Sequence, residues 1–98
     1  MNVLISTDAE RDIDEGITFY NSTGHDVGSY FYRSILVDLQ SLTLFSGIHP
    51  KRFGFHCMPA KRFPFAIYYA VSNDIVYVVA ILDERRDPEW IQRRLERG

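Results

Sequence analysis

The chain has 98 residues, 46% of them hydrophobic, 14% aromatic and 24% charged, with a formal net charge of −2. That length holds a single domain over 1–98 with one modest core, burying roughly 60–70% of the surface that the unfolded chain exposes. High apolar content with little net charge excludes disorder. The single cysteine, Cys57, excludes an internal disulfide, and no apolar run approaches the ~20 residues of a membrane-spanning helix. Met1 is followed by Asn-Val-Leu-Ile-Ser, too short and too little basic for a signal peptide, so a soluble cytoplasmic protein is expected.

The charge is unevenly distributed. Residues 1–49 carry a net charge of −5 and residues 50–98 a net charge of +3. An acidic helical half and a mildly basic sheet half follow if these segments form different faces. The basic excess is too small for a committed nucleic-acid binder, and direct nucleic-acid binding is not expected.

In chain order, Val3-Leu4-Ile5 reads as a brief strand. Thr7 with Glu10 forms a capping box, and Ala9, Ile13, Ile17 and Tyr20 then recur at helical spacing. Glu10, Arg11, Asp12, Asp14 and Glu15 fall on the opposite, solvated face. Asn21-Ser22-Thr23-Gly24 ends this helix. Asp26 is placed to cap a second one, whose buried stripe is Phe31, Ile35, Leu39, Leu42 and Phe45, with Gly47 and His49-Pro50 as its stop. The short connection predicts an antiparallel helical hairpin.

After Pro50 the apolar period changes to two. Phe53, Phe55 and Cys57 alternate with Gly54, His56 and Met58 in one predicted strand. Phe63, Phe65, Ile67, Tyr69 and Val71 share one face of a second, and Ile75, Tyr77, Val79 and Ile81 one face of a third. Ser72-Asn73-Asp74 is the turn of a hairpin between these last two. Asp87 caps a final helix with Pro88 at its first position. Ile91 and Leu95 face inward, and Arg93, Arg94 and Arg97 lie near its C-terminal end, where cations favour the macrodipole. The predicted fold is α+β, with the helical hairpin packed on a small, curved, mostly antiparallel sheet and a short C-terminal helix.

Several chemistries find little support. His25, His49, His56 and Cys57 lack the spacing of a metal site, so no metal is expected. The glycines stand singly, without a phosphate-binding loop, and no cofactor is expected. His56 adjoins Cys57 on a strand and points to the opposite face, which excludes that pair as base and nucleophile. The carboxylates Asp12, Asp14 and Glu15 read as a solvated helix face, and Asp83 and Glu84 as partners of nearby arginines. The cationic residues are the strongest candidates. Lys61 and Arg62 precede one central strand and Arg85 and Arg86 follow its partner, so an antiparallel pairing would gather all four at one end of the sheet. Such a group suits recognition of phosphate or carboxylate; equally, it solvates a sheet end and pairs with Asp83, Glu84, Asp87 and Glu89. Trp90 is either a packing anchor for the last helix or an exposed recognition aromatic.

The chain resembles the RelE/ParE family of toxins from bacterial type II toxin–antitoxin systems, including those of the plasmid-stabilisation type. The resemblance runs through Ala9-Glu10-Arg11-Asp12-Ile13, Phe31, Leu39, Leu42 and His49-Pro50. It continues through Arg62-Phe63-Pro64-Phe65-Ala66-Ile67-Tyr68-Tyr69 and Val78-Val79-Ala80-Ile81-Leu82-Asp83-Glu84-Arg85-Arg86-Asp87-Pro88. It implies a growth-inhibiting protein neutralised by a cognate antitoxin, which would dock on outward helix residues or on the sheet face left uncovered by the hairpin. RelE-like members cut mRNA in the ribosome with basic residues and usually a tyrosine near the C-terminus; ParE-like members poison DNA gyrase without catalysis of their own. No tyrosine follows Tyr77 here. The Pro64-Phe65 strand start and the Arg-Arg-Asp-Pro exit are closer to the ParE side, and the acidic balance is at odds with ribosome contact. The resemblance therefore implies gyrase as target, with Lys61, Arg62, Arg85, Arg86 and Trp90 as the target-binding residues. The alternatives are a ribosome-dependent mRNA endonuclease using the same cations, or a non-toxic relative that only binds an antitoxin.

Overall fold

The computed structural model of the chain describes residues 1–97. The element order is β1 (Asn2–Ile5), α1 (Thr7–Thr23), α2 (Val27–Phe45), β2 (Lys51–Arg52), β3 (Phe55–Pro59), β4 (Phe65–Ser72), β5 (Ile75–Asp83) and α3 (Pro88–Arg97). The strands form one sheet in the order β1-β5-β4-β3-β2. Only the β1–β5 pairing is parallel; the other three are antiparallel. The predicted α+β class and mostly antiparallel sheet are those observed.

The core has two parts because β4 and β5 are apolar on both faces. On one face, Ala9, Ile13, Phe31, Ile35, Leu39 and Leu42 of the helical hairpin meet Phe65, Ile67, Tyr69, Val76, Val78 and Ile81. The rings of Tyr20, Phe31, Phe63 and Phe65 fasten hairpin to sheet, with centroid separations of 4.7 Å for Tyr20–Phe63 and 4.9 Å for Phe31–Phe65. Truncating fully buried Phe31 to alanine should cost about 3–5 kcal/mol. On the other face, Ile91 and Leu95 of α3 cover Ala66, Tyr68, Ala80 and Leu82. The sheet face left uncovered by the hairpin is therefore partly occupied by the chain's own last helix.

The two long helices approach closely at two glycines. A Cβ on Gly16 would lie 2.5 Å from Cε2 of Phe31, and one on Gly28 would lie 2.6 Å from the Ile17 carbonyl oxygen. Gly28 also donates its amide to Oδ1 of Asn21 at 2.9 Å. That bond supplies the capping which Asp26 does not, since Asp26 adopts a left-handed conformation (φ 62°) and its side chain caps nothing. The first helix is likewise capped one residue earlier than expected: Oγ of Ser6, not a Thr7–Glu10 box, accepts from the Ala9 amide at 3.0 Å.

Two strand expectations are corrected. The predicted strand Phe53–Met58 is broken, because Phe53 (φ 55°) and Gly54 (φ 86°) both turn left-handed and join β2 to β3 as a tight hairpin. In β5, Tyr68 pairs with Ala80 and Tyr69 with Val78, which leaves Val79 as a β-bulge. The bulge shifts the alternation by one, so the hairpin face is Val76, Val78 and Ile81, while Tyr77 is exposed. The predicted turn at Asn73-Asp74 is present, both residues having positive φ.

Candidate functional site

The segment after β5 is built by local hydrogen bonding. Asp83 receives the Arg85 amide at 2.9 Å and its guanidinium at both oxygens, at 3.0 and 2.7 Å. These bonds hold the Asp83 carboxyl below its ordinary pKa of 3.8 against the opposing effect of partial burial. The Arg86 amide returns to the Asp83 carbonyl at 3.2 Å, closing a turn. Asp87 then caps α3 by accepting the Glu89 amide at 3.0 Å, as predicted. With the helix start fixed, Trp90 lies in the first turn, and the Arg86 guanidinium carbon sits over its ring, 3.9 Å from the centroid.

This segment forms one side of a cleft of about 390 Å³. Gly16 and Phe19 of α1 form the facing wall, and Phe65, Ile81 and Leu82 the floor. Beneath it lies a buried ion pair that the sequence reading placed in solvent. Oδ2 of Asp12 accepts from Nη2 of Arg94 at 2.7 Å and from the Ile81 amide at 3.0 Å. Asp12 and Arg94 are only 8% and 7% exposed. Burial raises the Asp12 carboxyl above 3.8 in spite of both bonds. The helical spacing that assigns Asp12 to a wet face is correct for an isolated helix; α3 and the β5 backbone then close over it.

Arg85, Arg86 and Trp90 thus stand together, while Lys61 and Arg62 both act on Asp38 of α2. The β3–β4 connection bends toward α2, where the Lys61 amide donates to Oδ2 of Asp38 at 3.3 Å. Lys61 borders a second cavity of about 450 Å³ with Phe45, Ile48, His49 and Met58. Arg62 also acts on Asp38, favouring a carboxylate that burial pushes toward its protonated form. The pairing of the β4 and β5 segments continues just past the strand ends, the Glu84 amide donating to the Pro64 carbonyl at 2.8 Å.

Two polar groups were not singled out in the sequence. On the α3 face, Nη1 of Arg52 donates to Oε1 of Glu84 at 2.9 Å and to the Tyr68 hydroxyl at 3.2 Å, while that hydroxyl donates to Oε2 of Glu84 at 2.8 Å. Burial, and then the bond to Glu84, push the Tyr68 phenol well above its ordinary pKa of 10.0, so it stays protonated. On the hairpin face, the Tyr69 hydroxyl oxygen accepts the Gly47 amide at 2.9 Å and shares a hydrogen bond with Nδ1 of His49. Burial, and then His56, lower the His49 pKa. His56 and Cys57 do point to opposite faces, toward Tyr69 and Glu84 respectively. Alternation in β4 gave the only signal for these groups: adjacent tyrosines must serve two different faces.

No protein-family model and no curated protein matches the chain. Among solved structures, a chain of the chromosomal ParDE TA (toxin–antitoxin) system from P. aeruginosa aligns with a TM-score of 0.74 at 17% identity, covering 83% of this chain and 92% of that one. The chain has a ParE-like fold. At that identity the likeness is one of architecture, and it agrees with the family resemblance carried by the sequence. In this ParE-like fold the Pro64-Phe65 pair opens β4, and the Arg85-Arg86-Asp87-Pro88 run forms the turn that leads into α3. Among the described residues, no group of three or more His, Cys, Asp or Glu side chains could hold a metal ion, and no helix is long and apolar enough to cross a membrane.

Proposed function

We propose that this protein is the toxin of a type II toxin–antitoxin system, acting in the cytoplasm by contact with DNA gyrase and held inactive by a cognate antitoxin. The observation that carries this reading is the ParE-like fold shared with a chain of a ParDE system. The 85–90 segment gives it a surface. Arginine and tryptophan dominate binding hot spots, and here Arg86 and Trp90 are stacked on a turn that Asp83 holds rigid. Because Arg85 is already neutralised by Asp83, the segment suits a protein contact better than a phosphate cradle. Lys61 and Arg62, which act on Asp38 of α2, are further candidates for the target contact. An antitoxin face is suggested by Val37, Leu44, Phe45 and Ile48, large apolar residues exposed along and just after the second half of α2.

A second reading, ribosome-dependent mRNA cleavage, draws on the grouping of Arg52, Tyr68 and Glu84, which combines a cation, a phenol and a carboxylate. Pulse labelling after induced expression in bacterial cells separates the two. An early fall in DNA synthesis with a DNA-damage response supports gyrase poisoning. An immediate stop in translation with cut mRNA would replace it by the nuclease reading, and growth unaffected by a folded product would indicate a non-toxic antitoxin binder. Arg85→Ala with Arg86→Ala should abolish growth inhibition while leaving the fold and antitoxin binding intact. Full toxicity in that variant would remove the 85–90 segment from the target contact.

A further inference from the structure

The cleft between α1 and the start of α3 is bordered by five charged side chains: Asp12, Glu15, Asp83, Arg85 and Arg86. Three of them are already committed. Asp12 is bound by Arg94 and the Ile81 amide, while Asp83 and Arg85 form a bidentate pair. Glu15 and Arg86 are left, both exposed, and neither takes part in an ion pair among the described residues. One belongs to the α1 wall and the other to the α3 wall, so the mouth keeps one free charge of each sign. The interior between them is apolar, formed by Phe65, Leu82, Trp90 and Phe19, the last of which leaves 52% of its surface exposed.

We propose that this cleft binds a linear segment of a partner protein through one large apolar side chain, with a carboxylate of that segment on Arg86 and a cation on Glu15. The inference rests on reading the 85–90 segment as a contact surface, and it adds the chemistry of what that surface receives. The Arg86 guanidinium carbon lies 3.9 Å from the indole centroid, and none of the guanidinium N–H groups bonds a carboxylate among the described residues, which leaves the fork open to a partner's carboxylate in two parallel bonds. The volume, about 390 Å³, lies at the small end of ligand sites and suits one bulky side chain with its adjoining backbone. The mixed-sign mouth disfavours a polyanion, because a phosphate reaching Arg86 also meets Glu15. An amphipathic segment with charges of both signs satisfies the two lips and buries Phe19 together with Trp90.

The test is panning of short random peptides, displayed on phage, against the purified chain. Enriched peptides are then synthesised and titrated against the wild type, Arg86→Glu and Glu15→Lys, with circular dichroism as the check that each variant is folded. The expected enriched sequences carry one large apolar residue with an acid on one side and a base on the other. Each charge reversal should weaken binding about tenfold or more, the usual scale for losing a charge-assisted contact. A peptide with its two charges exchanged should prefer the double variant. Enrichment without that pattern, binding indifferent to the reversals, or no enrichment would each overturn the proposal. So would a labelled oligonucleotide that binds more tightly to Glu15→Lys and is lost from Arg86→Glu. Gyrase binding by the same variants keeps the two readings apart. Peptides that obey the pattern while gyrase fails to bind sink the target assignment and leave the cleft standing; gyrase binding untouched by both reversals, with no peptide obeying the pattern, does the opposite.

Discussion

Two carboxylate–guanidinium pairs lie on either side of the same cleft floor at the same separation. Asp12–Arg94 and Asp83–Arg85 both close to 2.7 Å. Their side chains are exposed to 9% and 6% in the first pair, and to 23% and 60% in the second. The carboxyls move in opposite directions from the ordinary 3.8, Asp12 upward because burial outweighs its partners and Asp83 downward because Arg85 bonds to it in a half-wet setting. Distance alone therefore does not say what an ion pair does. The buried pair ties α1, β5 and α3 together, three elements far apart in sequence, and solvent cannot replace either partner. The exposed pair shapes a turn and keeps Arg86 free beside Trp90.

The strongest way to break this comparison is to remove one member of the buried pair. Arg94→Ala leaves Asp12 buried without its cation and should cost about 3–5 kcal/mol of stability, read from the urea midpoint. A loss under about 1 kcal/mol would put the pair on the same footing as a surface bridge. A double variant sharpens the point. Asp12→Asn with Arg94→Leu removes both charges, keeps an acceptor for the Ile81 amide, and should recover most of that loss.

The titrations give a smaller and more direct signal. Carboxyl NMR should place Asp12 above 3.8 and Asp83 below it. The linkage follows with opposite signs. The Asp83 contribution to stability is present above 3.8 and is lost as pH falls through its lowered value; that of Asp12 is present below 3.8 and is lost as pH rises through its raised value. Finding Asp12 to titrate below Asp83 would reverse the assignment of buried and exposed roles. The smallest expected effect on folding is that of Arg85→Ala, which should lower the denaturation midpoint only slightly while disturbing growth inhibition. A loss approaching that of Arg94→Ala, with toxicity retained, would make that arginine structural.

Much of the fold was legible because its causes are local. The 3.6-residue stripe of Phe31, Ile35, Leu39 and Leu42, the Asn73-Asp74 turn and the Asp87-Pro88 helix start each depend on neighbours a few residues away. Phe45, the last residue of the predicted stripe, is instead exposed at the end of α2. Phe53–Met58 was misread because alternation continues straight through a turn in which Phe53 itself adopts positive φ, a conformation that bulky residues rarely take. The Val79 bulge was equally hidden, since an apolar run on a central strand reads the same in either phase.

The candidate site divides along the same line. Arg85, Arg86 and Trp90 lie together because one turn and one helix start hold them, and that juxtaposition needs nothing from the rest of the chain. Lys61 and Arg62 also engage Asp38, a residue of α2, a contact that no local pattern reveals. Asp12 read as a wet carboxylate and Arg94 as a helix-end cation until the tertiary fold set them against each other, 82 residues apart. Sequence by itself determined the helices, the β4–β5 hairpin, the fold class and the cationic turn, through periodicity and capping that act within a few residues. Only tertiary structure decided which charges are spent and which are left over, because that depends on which groups lose water together when distant segments pack.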